Sequence, residues 1–216
     1  MNHPSTLTTP ATPSVRYARR EDHRLITGVG RYTADQQSPG MLHACVIRSP
    51  HAHARIARLD LSRLRNTPGV HLALAAEDIE QNGRLELPNL MSVTDASGKP
   101  QNVVLMPVLA RDRVHFVGQP VAFVVADTAH LAQDAAELAD IEYEELPAAV
   151  SVASAFAPGA PQLHAEANGN LSVEFEAGDL ASVERAFASA AHTSRLTINS
   201  QRLIGAPMEP RSEEHT

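Results

Sequence analysis

The stretch that decides the fold is VHFVGQPVAFVVADTAHLAQDAAELADIEYEELP, residues 114–147. Its apolar run at residues 121–125 contains three valines and a phenylalanine, which are typical of a buried β-strand. Gly118, followed by Gln119 and Pro120, indicates a turn that leads into this strand.

A helix is predicted directly after the strand. Asp127 or Thr128 is expected to cap it, because either side chain can accept from the free N–H groups of a first helical turn. Leu131 and Leu138 recur with alanines at helical spacing, which makes one face apolar. Residues 141–145 then alternate between apolar and acidic side chains, the period of a half-exposed strand. The stretch is therefore interpreted as a βαβ unit.

The composition limits the classes of protein to which this chain can belong. The chain has 216 residues, 43% of them hydrophobic and 20% charged, with a net charge of −7. These values are typical of a globular domain plus part of another. The acidic balance and the absence of basic blocks argue against nucleic acid as a partner. We expect a cytoplasmic protein, since the sequence contains neither an apolar run of membrane-spanning length nor a signal-peptide core near Met1.

The single cysteine, Cys45, limits the redox chemistry of the chain. It excludes an internal disulfide. It also excludes an iron–sulfur cluster held by this chain alone, because such a cluster needs about four thiolates.

The N-terminal half contains several further predicted elements. Residues 1–18 are rich in proline and threonine and are expected to form a disordered arm, with a tether to a partner chain as the alternative. Strands are predicted at 41–47 and 70–75 and a short helix at 59–65, whereas residues 81–101 are interpreted as a surface excursion.

Gly28-Val29-Gly30 is not interpreted as a nucleotide-binding loop. A dinucleotide fingerprint needs a third glycine, a preceding strand and a following helix. Thr33 stands where the third glycine is required, so a glycine turn ahead of a strand is expected.

Three histidines are candidate metal ligands. His51 and His53 are two residues apart, so a strand would place both on one face, as in some metal sites. No third ligand lies at a suitable spacing, which favours a structural role. His164 lies in a segment rich in alanine, proline and glycine and is interpreted as a loop histidine rather than a ligand. No metal site is therefore expected.

A second unit is predicted from residue 171. Residues 173–176 and 195–200 have strand periodicity, and Asp179 is expected to cap a helix between them. The apolar positions of this helix are Val183, Ala186, Phe187 and Ala190. About forty-five residues are too few for a core of their own.

The chain contains four distinctive signatures. They are the Arg-x-Glu-Asp and Leu-x-Thr-Gly-x-Gly-x-Tyr segment at 19–32, RSPHAHARI at 48–56, VGQPVAFVVADT with AQDAAELADIEYEELPAAV, and QRLIGAPMEPR at 201–211. Together they resemble the xanthine dehydrogenase and aldehyde oxidase family, in particular the molybdopterin-binding large subunit of its bacterial multi-subunit members, such as the carbon monoxide dehydrogenase large chain.

The resemblance implies an α+β fold in several parts. An a/b hammerhead domain is expected at 19–147, a linker at 148–170, and the truncated start of a molybdopterin-binding domain at 171–211. Residues 211–216, RSEEHT, also match the translation of a common sequencing adapter. Residues 212–216 are therefore hypothesised to be non-native, with a genuine acidic tail as the alternative.

The resemblance also implies a function. The full-length protein would be a molybdenum hydroxylase that takes oxygen from water and holds molybdenum–molybdopterin, in the cytosine dinucleotide form. Electrons would pass to a 2Fe-2S small subunit and an FAD-binding medium subunit, in a dimer of heterotrimers. The catalytic base is expected beyond residue 216, so the fragment itself would be inactive. A stand-alone docking or cofactor-delivery module is the alternative.

Two residues are assigned to the cofactor region by this resemblance. Gln201 is expected near the molybdenum ligands, and Glu209 near the cofactor. Because Glu209 lies between Met208 and Pro210, a structural carboxylate is favoured over direct cofactor contact.

Overall fold

The computed structural model describes residues 22–32, 35–83, 86–90, 93–95 and 97–198. The helices in this part of the chain are α1 (Asp22–Ile26), α2 (Ser62–Arg65), α3 (Ala76–Asn82), α4 (Ala129–Ala136), α5 (Val152–Ala155) and α6 (Leu180–Ser189). The strands are β1 (His43–Arg48), β2 (Ala54–Asp60), β3 (Val70–Leu74), β4 (Arg113–Val114), β5 (Pro120–Ala126) and β6 (Asp140–Glu145). The mixture of helices and sheets confirms the predicted fold class.

The six strands form two three-stranded sheets in the described residues. One sheet has the order β1-β5-β3 and the other β4-β2-β6, and every pairing is antiparallel. Val124 in the middle of β5 lies opposite Cys45 on one side and Ala73 on the other. The predicted strands at 41–47, 70–75, 121–125 and 141–145 all have counterparts here.

The interpretation of residues 114–147 as a βαβ unit is wrong. The strands and the helix exist, but β5 and β6 belong to different sheets. Both edges of β5 are occupied by β1 and β3, so no edge is open to β6, which pairs with β2 instead. Periodicity identifies strands but contains no information about which neighbour they pair with.

The apolar core follows from the sequences of β5 and α4. Val124 and Ala122 contact Leu64 of α2 and Ala135 of α4 in one cluster. Val121 lies in a second cluster, with residues of β2 and β4. Because β5 contributes to both clusters, it joins the cores of the two sheets.

Helix α4 begins as the sequence predicts. The Thr128 side chain, in extended backbone geometry, accepts from the main-chain N–H of Leu131 at 3.1 Å. Thr128 is therefore the N-cap, and Asp127 is not. Asp127 instead pairs with the His71 ring at 2.6 Å on strand β3.

The glycine turn at residues 28–30 ends α1. The N–H of Gly30 donates to the Arg24 carbonyl at 2.8 Å, and Gly28 has a φ of +72°. Glycine is favoured at such a helix end because a Cβ would be strained there. The turn itself is confirmed. Arg31 and Tyr32, directly after it, are not in a strand, and the next described strand is β1.

The segment 148–170 is ordered by its own side chains. Asn170 adopts a φ of +57°, which asparagine tolerates better than most residues. Its amide nitrogen donates to the carbonyls of Ala155 and Pro161, and its oxygen accepts from Leu163 N–H at 3.0 Å. One asparagine therefore ties α5, the proline turn and the 3-10 turn Asn168–Asn170 together.

The second unit contains the predicted helix but not its strands. The Asp179 side chain accepts from Ser182 N–H at 3.0 Å and caps α6, as expected. The described residues of the two predicted strands, 173–176 and 195–198, have no regular secondary structure and join no ladder. A strand needs a partner, and this part of the chain offers none.

Residues of the predicted surface excursion, 81–101, take part in two isolated β-bridges. Glu86 bridges to Pro107, and Thr94 bridges to Pro100. Asn102 donates from its main chain to the Ser172 carbonyl and from its side chain to the Leu171 carbonyl, both at 2.8 Å. Among the described residues, no helix is long and apolar enough to cross a bilayer.

Candidate functional site: a groove lined by histidines

A groove of about 860 Å³ lies beside the sheet of β4, β2 and β6. One wall is the stretch 103–119 and the other is the segment 163–166. The charged and polar residues that line it are Glu80, Glu86, Arg111, Asp112, Arg113, His115, Gln119, His164 and Glu166. The remaining lining is mainly aliphatic, with Phe116 as its aromatic ring.

His53 lies next to this groove, immediately before β2, and is 5% exposed. Its Nδ1 lies 2.7 Å from the Pro147 carbonyl oxygen. A carbonyl only accepts, so Nδ1 carries the proton and the neutral ring presents Nε2 as an acceptor. That Nε2 is buried and has no hydrogen-bond partner among the described residues.

His115 stacks between two other histidines. Its ring centroid is 5.6 Å from that of His53 and 4.2 Å from that of His164, with interplanar angles of 25° and 22°. We call His53, His115 and His164 the histidine stack. The pKa of His115 is lowered to about 4, mainly by burial and also by the positive charges of His164, His53 and Arg113, while a hydrogen bond to the Leu163 backbone opposes the shift.

The Gly-Gln-Pro turn holds His115 in place. Gln119 is 2% exposed, and its side-chain oxygen accepts from the main-chain N–H of His115 at 2.7 Å. Gly118, with a φ of +87°, allows the tight turn before β5. Gln119 is thus a positioning residue, which the sequence indicated only as part of a turn.

His164 is the contribution of the segment 148–170 to the stack. Gln162 fixes the loop around it by donating to the carbonyls of His164 at 2.6 Å and Ala167 at 2.7 Å. Burial lowers the pKa of His164, the neighbouring Glu166 carboxylate opposes this lowering, and His53 adds to it. The sequence interpretation of a loop histidine describes its position but not its ring contact with His115.

His51 and His53 do not share a site. His51 Nδ1 lies 3.3 Å from a Glu145 carboxylate oxygen, and its ring is tilted against Tyr143. They precede β2 rather than lie within it, so strand alternation does not align them. No group of three or more histidine, cysteine or acidic side chains in the described ranges is arranged to hold a metal ion.

Several sequence assignments lie elsewhere. Gln201 and Glu209, assigned to the cofactor region, lie outside the described residues, as do residues 1–18 and 212–216. His115 was not among the candidates, because nothing in its local sequence distinguishes it. Its neighbours in the stack come from distant parts of the chain.

The family described as aldehyde oxidase and xanthine dehydrogenase, a/b hammerhead domain, matches residues 27–147. The chain is 38% identical over 200 residues to the 6-hydroxypseudooxynicotine dehydrogenase complex subunit gamma of Paenarthrobacter nicotinovorans, covering 90% of this chain and 24% of the relative. It is 34% identical over 206 residues to the carbon monoxide dehydrogenase large chain of Hydrogenophaga pseudoflava, covering 90% and 24%.

A solved structure gives the same result in three dimensions. The Cu,Mo-CO dehydrogenase in its carbon monoxide reduced state superimposes with a TM-score of 0.61 at 36% identity. The match covers 81% of this chain and 22% of that chain. The chain thus spans about a quarter of the length of these relatives. By both sequence and fold, it belongs to the aldehyde oxidase and xanthine dehydrogenase family and contains that family's a/b hammerhead domain.

Proposed function

We propose that this chain is the N-terminal part of the large subunit of a molybdenum hydroxylase. The observation that carries the proposal is the family match over residues 27–147, combined with relatives about four times longer that are described as a large chain or as a subunit of a complex. The structural relative described as a Cu,Mo enzyme supports molybdenum as the metal.

The proposed activity belongs to the full-length protein. It is an oxidation of the substrate in which water supplies the oxygen and molybdenum–molybdopterin, in its cytosine dinucleotide form, accepts the electrons. The electrons pass to 2Fe-2S and FAD centres on a small and a medium chain, in a cytoplasmic dimer of heterotrimers. The single cysteine, Cys45, supports the assignment of the clusters to partner chains.

The histidine-lined groove does not fit the proposed cofactor. A pterin dinucleotide carries phosphate groups, which favour cationic side chains and clustered backbone N–H groups. Glu80, Glu86, Asp112 and Glu166 line the groove, against two guanidinium groups. One of these, that of Arg111, is already paired with Glu80. No step of the reaction is therefore assigned to this groove, and Gln201 and Glu209 remain the proposed neighbours of the cofactor.

Helix α6 supports the proposal that this chain is one piece of a larger core. None of its residues is buried, and Leu180, Val183 and Phe187 are 59%, 50% and 62% exposed. An amphipathic helix is normally stabilised by packing its apolar face. We propose that later parts of the large subunit cover this face, and that the 216 residues alone are inactive.

We propose a division of the chain into three parts. The hammerhead domain occupies 19–147, the linker 148–170, and the start of the molybdopterin-binding domain 171–211. The internal hydrogen bonds of Asn170, and the absence of strand pairing at residues 173–176 and 195–198, support a boundary near this point.

The experiment has two arms. Sequencing the DNA downstream of codon 211 should show an open frame of several hundred further codons, and a native stop codon at residue 216 would contradict this proposal and favour a stand-alone module. Co-expression of the complete frame with its neighbouring subunit genes should yield protein with bound molybdenum, FAD and iron. The 216-residue chain expressed alone should contain none of them, and molybdenum-dependent turnover by that chain would overturn its proposed inactivity.

A further inference from the structure

The histidine stack connects the sheet of β4, β2 and β6 to the segment 148–170, in addition to a hydrogen bond between His115 and the Leu163 backbone. His53 and His115 belong to the sheet of β4, β2 and β6, since one precedes β2 and the other follows β4. His164 belongs to the segment 148–170, whose Gln162 and Asn170 hydrogen bonds close within the segment itself. The ring contact at 4.2 Å therefore crosses from the sheet to this segment.

The stack is suited to neutral imidazoles. His53 donates from Nδ1 to Pro147, and its buried Nε2 has no acceptor nearby among the described residues. A second proton on this ring would place a buried N–H without a partner. Two stacked imidazolium rings would in addition repel each other at a short distance.

The charged groups around the stack act in both directions. Arg113, two residues before His115 in sequence, disfavours a proton on that ring. A hydrogen bond to the Leu163 backbone favours one there, and Glu166 favours one on His164. Glu80, Glu86, Arg111 and Asp112 line the same groove, with Glu80 and Arg111 paired. Burial of the rings adds to the effect of Arg113, so acid acts against the stacked arrangement.

We propose that the histidine stack is an acid-sensitive latch, which fastens the segment 161–167 to the hammerhead domain while its rings are neutral and releases it when they become charged. The released segment keeps the internal bonds of Gln162 and Asn170. The rest of the domain, built on β5, stays folded. The latch is independent of molybdenum and of the proposed catalytic function.

Hydrogen–deuterium exchange of the 216-residue chain tests the latch. After correction for the intrinsic pH dependence of exchange, the amides of 161–167 should exchange roughly tenfold faster at about pH 4.5 than at about pH 7. The amides of β5 should change little over this range. Constant protection of 161–167, or an equal increase in β5, would overturn the proposal.

Two variants separate charge from packing. His115→Phe retains a planar ring that can stack but cannot be protonated, and should retain protection at neutral pH and lose its acid dependence. His130→Phe alters an exposed histidine on α4 and should retain the response of the unaltered chain. An unchanged acid response in His115→Phe would contradict the latch.

A measurement on the unaltered chain covers the case in which the variant does not fold. The ring protons of His115 and His164 can be followed by NMR from about pH 7.5 to about pH 4. Their chemical shifts should change over the same pH range in which the nuclear Overhauser effect between the two rings weakens or disappears. If both rings titrate while the nuclear Overhauser effect between them persists, the segment stays attached and the proposal is wrong.

Discussion

The rings of His115 and His164 face each other at 4.2 Å with an angle of 22° between their planes. The first ring is positioned by Gln119, which accepts from its main-chain N–H. The second lies in the segment that leads from the hammerhead domain to the second unit. This ring pair links the residues just before the turn into β5 to the segment 148–170.

The pKa of His115 makes the stability of the fold depend on pH. Burial, together with neighbouring positive charges, lowers this pKa from 6.5 to about 4, so between these values the unfolded chain binds a proton that the folded chain does not. The contribution is complete above the unfolded value and is lost as the pH falls from 6.5 to about 4. We expect the free energy of unfolding, measured with urea, to decrease less on acidification for His115→Gln than for the unaltered chain. His130→Gln should resemble the unaltered chain.

Replacement of Gly69 by alanine should destabilise the fold. Its φ is +84°, and a Cβ would lie 2.6 Å from Leu131 Cδ2 and 2.8 Å from a carboxylate oxygen of Asp127. We expect Gly69→Ala to lower the free energy of unfolding by about 2–4 kcal/mol through backbone strain and overpacking. Gly118→Ala is the matched control, because its φ is +87° but no atom lies within 4 Å. Equal losses for the two variants would show that the contact with Leu131 adds nothing.

The cap of α4 should contribute measurably to stability. Thr128→Ala removes the acceptor for the Leu131 N–H and should lower the free energy of unfolding by about 1 kcal/mol. Thr128→Ser keeps an acceptor and should recover most of this loss. Thr193→Ala, at an exposed position without regular structure, should have no effect, and chemical denaturation of all three variants tests the comparison.

Truncation of a buried core side chain should destabilise the fold more than loss of a helix cap. Leu64 of α2 is fully buried and contacts the cluster around Val124. Leu64→Ala should lower the free energy of unfolding by about 2–5 kcal/mol because it leaves a cavity. Leu90→Ala, at a side chain that is 89% exposed, should change stability by less than about 0.5 kcal/mol.

The apolar face of α6 should drive self-association of the isolated chain. Val183 and Phe187 are exposed on this helix, and no residue of it is buried. The double variant Val183→Asp, Phe187→Asp should reduce dye binding and lower the apparent mass in sedimentation, with little change in the midpoint of unfolding. Val124→Asp places the same group in the core and should prevent folding. The prediction would be contradicted if the unaltered chain were monomeric in sedimentation and bound no hydrophobic dye.

Local patterns in the sequence predicted the elements well. The valine-rich run became β5, Thr128 became a cap, and Asp179 became the cap of α6, because each depends on neighbours a few residues away. The family signatures predicted the hammerhead domain, which the match over 27–147 confirms.

Features that depend on distant contacts were not predictable in this way. The assignment of β5 and β6 to separate sheets depends on which strand reaches each edge first. His115 gains its role only when His53 and His164 arrive on either side of it. The strands predicted around α6 require partners that the described residues do not provide.

The outer edge of β6 has a further consequence for how the chain behaves in solution. Its acidic residues Glu142 and Glu144 lie directly opposite Arg58 and Arg55 of β2, and each carboxylate pairs with its arginine. A foreign strand approaching this margin would meet a row of charged side chains already satisfied within the sheet. Fibril growth by strand addition at this edge is therefore disfavoured.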